Sequence, residues 1–116
     1  MVKLHNSIEL QEAVKAEDLL FKLIVQLNKD FQLSAICKEF DENTSFKQLN
    51  KELAETLLHL IQFKYDDYLN LIYRIDIPEK ELAKITNINL TDVVNQLVFL
   101  VLKREYQKVW LKLHYK

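Results

Sequence analysis

The sequence predicts an all-α protein, a compact bundle of four to five helices around one long, central C-terminal helix. Three observations carry that prediction. The chain has no glycine and a single proline in 116 residues, which disfavours the tight hairpins of a β fold. Apolar residues recur at helical spacing through most of the chain. Residues 97–102, Leu-Val-Phe-Leu-Val-Leu, are consecutive apolar positions, and a helix apolar on every side has to be surrounded by other elements.

The length fits a single domain over residues 1–116, large enough to bury a core without a disulfide or metal staple. A hydrophobic share of 49% and a charged share of 28% are those of a globular chain. The net charge of -1 gives no global pull towards nucleic acid or an anionic membrane, so any electrostatic partner has to be sought in local patches. One cysteine excludes an internal disulfide, the first residues lack the continuous apolar run of a secretory signal, and the longest apolar run falls far short of roughly 20 residues. The expectation is a soluble, cytoplasmic protein without a membrane span. The absence of glycine also argues against phosphate-cradling loops, the dinucleotide fingerprint and the nucleophile elbow; asparagines 28, 43, 87 and 89 are expected to supply the left-handed and capping positions.

A first helix can be capped by Asn6 or Ser7, with Glu9 completing a capping arrangement from Asn6. Ala13, Ala16, Leu19, Leu20, Leu23, Ile24 and Leu27 give it an apolar face, Asp18 and Lys22 form an outward i,i+4 pair, and it ends near Asn28. Its start is open between Ser7 and a second signal at Glu17. Residues 30–45 break the rhythm and read as a partly buried connection, with Phe31, Leu33, Ile36 and Phe40 against the core and Cys37 a small buried hydrophobe. Ser45 with Gln48 opens the next helix, whose stripe of Phe46, Leu49, Leu53, Leu57, Leu60 and Ile61 continues through Tyr68, Leu71, Ile72 and Ile75. Residues 46–75 are one long helix or two, with two segments meeting near 63–65 favoured. Asp66, Asp67, Asn70 and Arg74 fall on the polar side. Asp76 then caps a short helix that begins around Pro78 and runs to about Ile85, and Asn89 caps the final helix over residues 90–116.

No constellation of catalytic or metal-binding residues emerges, and no cofactor is expected. Glu55 and His59 lie four apart, but paired Glu-x-x-His motifs from two helices are missing. Asp66 and Asp67 are neighbours roughly 100° apart on a helix and do not converge. Tyr65, Tyr68, Tyr73 and Tyr106 read as core and rim packing. An enzyme is therefore the least favoured class.

The sharpest signal is a ladder of cations on the last helix, Arg104, Lys108, Lys112 and Lys116, with Lys103 beside it. Like charges at i,i+4 repel, so the row needs counter-charges or an anionic partner. Tyr106, Trp110 and Leu113 on the neighbouring face are the candidate interface. Fourteen of the sixteen cations are lysines, so the two arginines stand out: at least one of them is expected to make a structural carboxylate pair linking helices, with Arg74, Asp76, Arg104 and Glu105 the candidate residues.

Residues 71–79, Leu-Ile-Tyr-Arg-Ile-Asp-Ile-Pro-Glu, and 103–109, Lys-Arg-Glu-Tyr-Gln-Lys-Val, resemble a group of small, helical, functionally uncharacterised bacterial proteins. The resemblance implies no activity and no catalytic residues; it implies that Arg74, Asp76, Arg104 and Glu105 belong to one structural unit. Two functions follow as expectations. The first is a non-enzymatic interaction or structural protein, a homodimer or the binder of another protein through its C-terminal helix. The alternative is nucleic-acid binding through the basic ladder.

Overall fold

The computed structural model describes residues 4–86 and 89–115, and those residues form six helices and no strand. The long C-terminal helix α6 (Leu90–His114) is central: it packs against α1 (Ser7–Ala16), α2 (Leu20–Leu33), α3 (Phe46–Phe63) and α4 (Tyr65–Ile75). The one-turn α5 (Glu79–Leu82) completes the set. Val94, Leu97, Val98, Leu100, Val101, Leu102, Tyr106 and Val109 of α6 are all buried, as an apolar run on a surrounded helix requires. Leu90, at the helix start, is exposed.

Of the two candidate starts at the N-terminus, the one at Ser7 is used, whereas Glu17 closes α1 and α2 begins only at Leu20, without a side-chain cap. The Asn6 side chain accepts the Glu9 N–H at 2.9 Å, while Glu9 Oε1 accepts the His5 N–H at 2.9 Å, two orphan donors satisfied reciprocally. α1 ends at Ala16, and Asp18 turns the chain in the left-handed region with φ 53°. Asp18 thus sits in an interhelical turn and forms no ion pair with Lys22 among the described residues. α2 runs on to Leu33, past the expected end near Asn28, and Leu33 is exposed rather than tucked in. Leu4, in the expected loose lead-in, is buried.

After α2 the chain turns at Ala35, φ 59°. Asn28 fastens this connection: its Oδ1 accepts the Phe40 N–H at 2.8 Å and its Nδ2 donates to the Phe40 carbonyl at 2.9 Å. The Phe40 ring is thereby set edge-on against Phe31, 5.2 Å between centroids, both fully buried. Cys37 is exposed, contrary to expectation, because only the apolar residues flanking it reach the core.

The 46–75 stretch is two helices. Lys64, φ -142° and ψ 60°, breaks the ladder between them. α4 ends on Asp76, φ 67°, which therefore closes α4 instead of capping α5; α5 starts after Pro78 without a side-chain cap. Among the described residues the left-handed positions thus fall to Asp18, Ala35 and Asp76, not to asparagines, and Asn87 lies outside the described residues. Asn89 does cap α6, accepting the Thr91 N–H at 2.8 Å.

Candidate functional site

α2 and α6 run antiparallel, and the polar residues at their seam pair in that order: Asp30 with Lys108, Gln26 with Lys112. Asp30 stands in a core-facing register, seven residues after Leu23 and next to Phe31, and is buried. Its Oδ2 accepts from Lys108 Nζ at 2.6 Å and from Gln26 Nε2 at 3.3 Å. Glu105 holds the equivalent register on α6, between Val101 or Leu102 and Val109, and is 0% exposed. Lys108 Nζ approaches Glu105 Oε1 to 3.0 Å as a charge contact, but neither carboxyl oxygen accepts an aligned hydrogen bond.

The protonation state resolves that arrangement. Burial, and then the hydrogen bond to Asp30 and its negative charge, push the Glu105 carboxyl up to about 9, with Lys108 pulling the other way. Glu105 is thus neutral at physiological pH, and its O–H donates to Asp30. Burial also works to raise Asp30, but the hydrogen bonds from Glu105, Lys108 and Gln26 and the charge of Lys108 outweigh it and hold Asp30 below the ordinary carboxylate range. Two buried carboxyls, one cation and one proton make a neutral unit, which is the form that a low-dielectric site tolerates.

The basic ladder is accordingly engaged by the chain itself. Arg104 Nε donates to the Asp76 carbonyl at 2.9 Å, and its Nη2 lies 3.4 Å from Asp76 Oδ2, so this arginine clasps the left-handed end of α4. Lys108 serves Asp30 and Glu105, and Lys112 donates to Gln26 Oε1. Lys103 extends over the Phe99 ring, 5.7 Å from its centroid. Lys116 lies outside the described residues. A phosphate reaching Lys108 or Lys112 has to displace these partners.

Of the two arginines, Arg104 makes the expected carboxylate pair between helices, with Asp76 at the end of α4, whereas Glu105 goes to Lys108 and Asp30. Arg74 is solvent-exposed and makes no ion pair among the described residues, because its side of α4 faces away from α6. The candidate interface is divided too. Tyr106 is 3% exposed, with its Oη 3.4 Å from Glu17 Oε1; burial, and then the charge of Glu17, raise its pKa. It ties α6 to the turn between α1 and α2 and is withdrawn from any surface. Leu113 packs half-buried against the core. Trp110, also half-buried, stacks on His114 at 4.0 Å and meets Tyr115 edge-on at 6.1 Å.

A different apolar surface lies on α4. Tyr68, Leu71, Ile72 and Ile75 face inward, while Tyr65, Leu69 and Tyr73, at i, i+4 and i+8, form an outward row that is 54%, 47% and 87% exposed. Asp66, Asn70 and Arg74 form a parallel polar row beside it, all three exposed and without a side-chain partner among the described residues. The sequence carried the signal for this surface in an α4 whose apolar arc is wider than one stripe, the row of Tyr65, Leu69 and Tyr73 lying roughly 110° round the helix from the inward residues.

The remaining concavities gather no convergent chemistry. Glu55, His59 and Asp67 line a shallow groove with Cys37 and Lys64, and no group of three or more potential metal ligands occurs among the described residues. No helix among them is long and apolar enough to cross a membrane. Comparison with protein-family models, with curated proteins and with solved structures finds no match for this chain.

Proposed function

We propose that this chain is a non-enzymatic helical interaction protein that works by presenting an exposed helix face to a protein partner. The observation that carries this reading is the outward row Tyr65, Leu69 and Tyr73 on α4. Single exposed apolar side chains are ordinary, but three at successive helical turns, two of them tyrosines, form a continuous ridge of the kind that fills a partner's groove. The row costs solubility and stays outside the chain's own core, which Leu71, Ile72 and Ile75 fill from the adjoining face of α4. Trp110 and Tyr115 at the end of α6 form a second, smaller aromatic group on the surface. The buried unit of Asp30, Glu105 and Lys108 is structural in this account: it fixes the register of α2 on α6 and so the platform that α4 rests on.

The test is a photo-crosslinking amino acid placed in living cells at positions 69 and 73, with Lys47 and Lys51 on the exposed side of α3 as controls. Protein adducts from 69 and 73 and none from 47 and 51 are expected. Equal adducts from all four, or none from any, would overturn the proposal.

A further inference from the structure

We infer that the occupant of the α4 face is a second copy of this chain, docked with its own α4 antiparallel to the first. This rests on α4 being the contact surface and adds who the partner is. The face is self-complementary about a two-fold axis near Leu69 and Asn70. In an antiparallel pair related by that axis, Tyr65 meets the other copy's Tyr73, Leu69 meets its equivalent, and the apolar row of about 12 Å closes on itself.

The polar row decides the direction. A two-fold axis perpendicular to two antiparallel helices keeps the polar rows on the same side of the seam and reverses only their order. Asp66 then stands opposite the other copy's Arg74 on both halves, and Asn70 opposite Asn70, where amide groups can donate and accept mutually. A parallel pair, related by a two-fold axis along the helices, would put the two polar rows on opposite sides of the seam, where neither Asp66 nor Arg74 meets an opposite charge. The antiparallel arrangement also opposes the helix dipoles. Asp66, Asn70 and Arg74 are all exposed and without side-chain partners among the described residues, so both charges are free to pair across the seam. One helix face is at the small end of specific interfaces, below about 1,200 Å² in total, so the dimer is a weak one, with Kd on the order of 10–100 μM.

Sedimentation velocity over a concentration series tests this. The wild-type chain is expected to pass from monomer to dimer in that range. Leu69→Asp is expected to remain monomeric, and Asp66→Arg or Arg74→Asp alone to weaken dimerisation by roughly tenfold or more, since each breaks both symmetry-related pairs. The double variant Asp66→Arg/Arg74→Asp restores opposite charges across the seam and is expected to dimerise again. Far-ultraviolet circular dichroism checks that each variant is as helical as the wild type. A wild-type chain that stays monomeric to 1 mM (about tenfold above the expected range), a dimer indifferent to Leu69→Asp, or charge reversals that the double variant fails to rescue would overturn the inference. A monomeric chain that still gives crosslinks from positions 69 and 73 removes the second copy while leaving α4 as a contact face; a monomeric chain with no such crosslinks removes both.

Discussion

Replacing Glu105 by glutamine is expected to make the protein more stable at alkaline pH and to flatten its stability across the neutral range. In the folded chain Glu105 keeps its proton up to about pH 9, whereas the ordinary value is 4.5. Between those limits the folded state binds more protons than the unfolded state, so stability falls as pH rises. One such group approaches a slope of about 1.4 kcal/mol per pH unit, or about 3 kcal/mol between pH 6 and pH 8, a substantial part of the 5–15 kcal/mol that is typical of small domains. Asp30 does not blur this window: its pKa is lowered from 3.8, so its stabilisation is present above that value and is lost only as pH falls through its folded value. Glu105→Gln keeps the shape and a donor towards Asp30 but cannot ionise. Urea unfolding at pH 5.5, 7.0 and 8.5 is expected to show the variant's stability relative to the wild type rising steadily from the lowest pH to the highest. A difference that does not change with pH would refute the shared-proton arrangement.

Four further outcomes follow from the same contacts. Lys108→Met leaves two buried carboxyls without their cation and is expected to cost about 3–5 kcal/mol in chemical unfolding, while Glu105→Gln added to it recovers part of the loss. Asn28→Ala removes both bonds to the Phe40 backbone and is expected to cost about 2 kcal/mol, with faster amide exchange confined to residues 34–44. Ala35→Gly relieves a left-handed backbone at φ 59° and is expected to raise stability by up to about 1 kcal/mol, seen as an increase in Tm. Arg74→Ala, at an unpaired surface position, is expected to change monomer stability by less than about 0.5 kcal/mol, measured below the dimerisation range.

The helical architecture was legible because its determinants are local. Periodicity placed the long final helix, Asn89 marked its start, and the interrupted stripe at Lys64 marked the junction of α3 and α4. The division between α1 and α2 was only half legible, since Asp18 carries a left-handed turn that asparagine or glycine would have announced. Asp76 misled for a related reason: before Pro78 it has the composition of a helix cap, but α4 runs directly into it and Arg104 clasps it from a distant element.

The seam between α2 and α6 is a tertiary matter. The cation ladder called for counter-charges, and these are Asp30 and Asp76, far away along the chain, with the neutral Gln26 amide accepting from Lys112. A clue existed in the register, because Asp30 and Glu105 each occupy a position where the stripe calls for an apolar residue. A charge at such a position is buried with a partner or is not tolerated. Tyr106 looked like surface only because its covering turn at Glu17 comes from the other end of the sequence. The α4 row was hidden differently: the core stripe of Tyr68, Leu71, Ile72 and Ile75 was legible, but Tyr65, Leu69 and Tyr73 adjoin it at helical spacing, and only the packing shows that they stay outside the core.

The most direct test of where this protein makes its contacts is a dilution series followed by two-dimensional amide NMR, from well below to well above the expected dimer range. Concentration-dependent shifts are predicted for residues 65–74 on α4, with residues 103–112 of α6 unmoved because their cations are already held within the chain. Shifts gathered instead on α6 around Trp110 and Lys112, with α4 silent, would contradict that assignment.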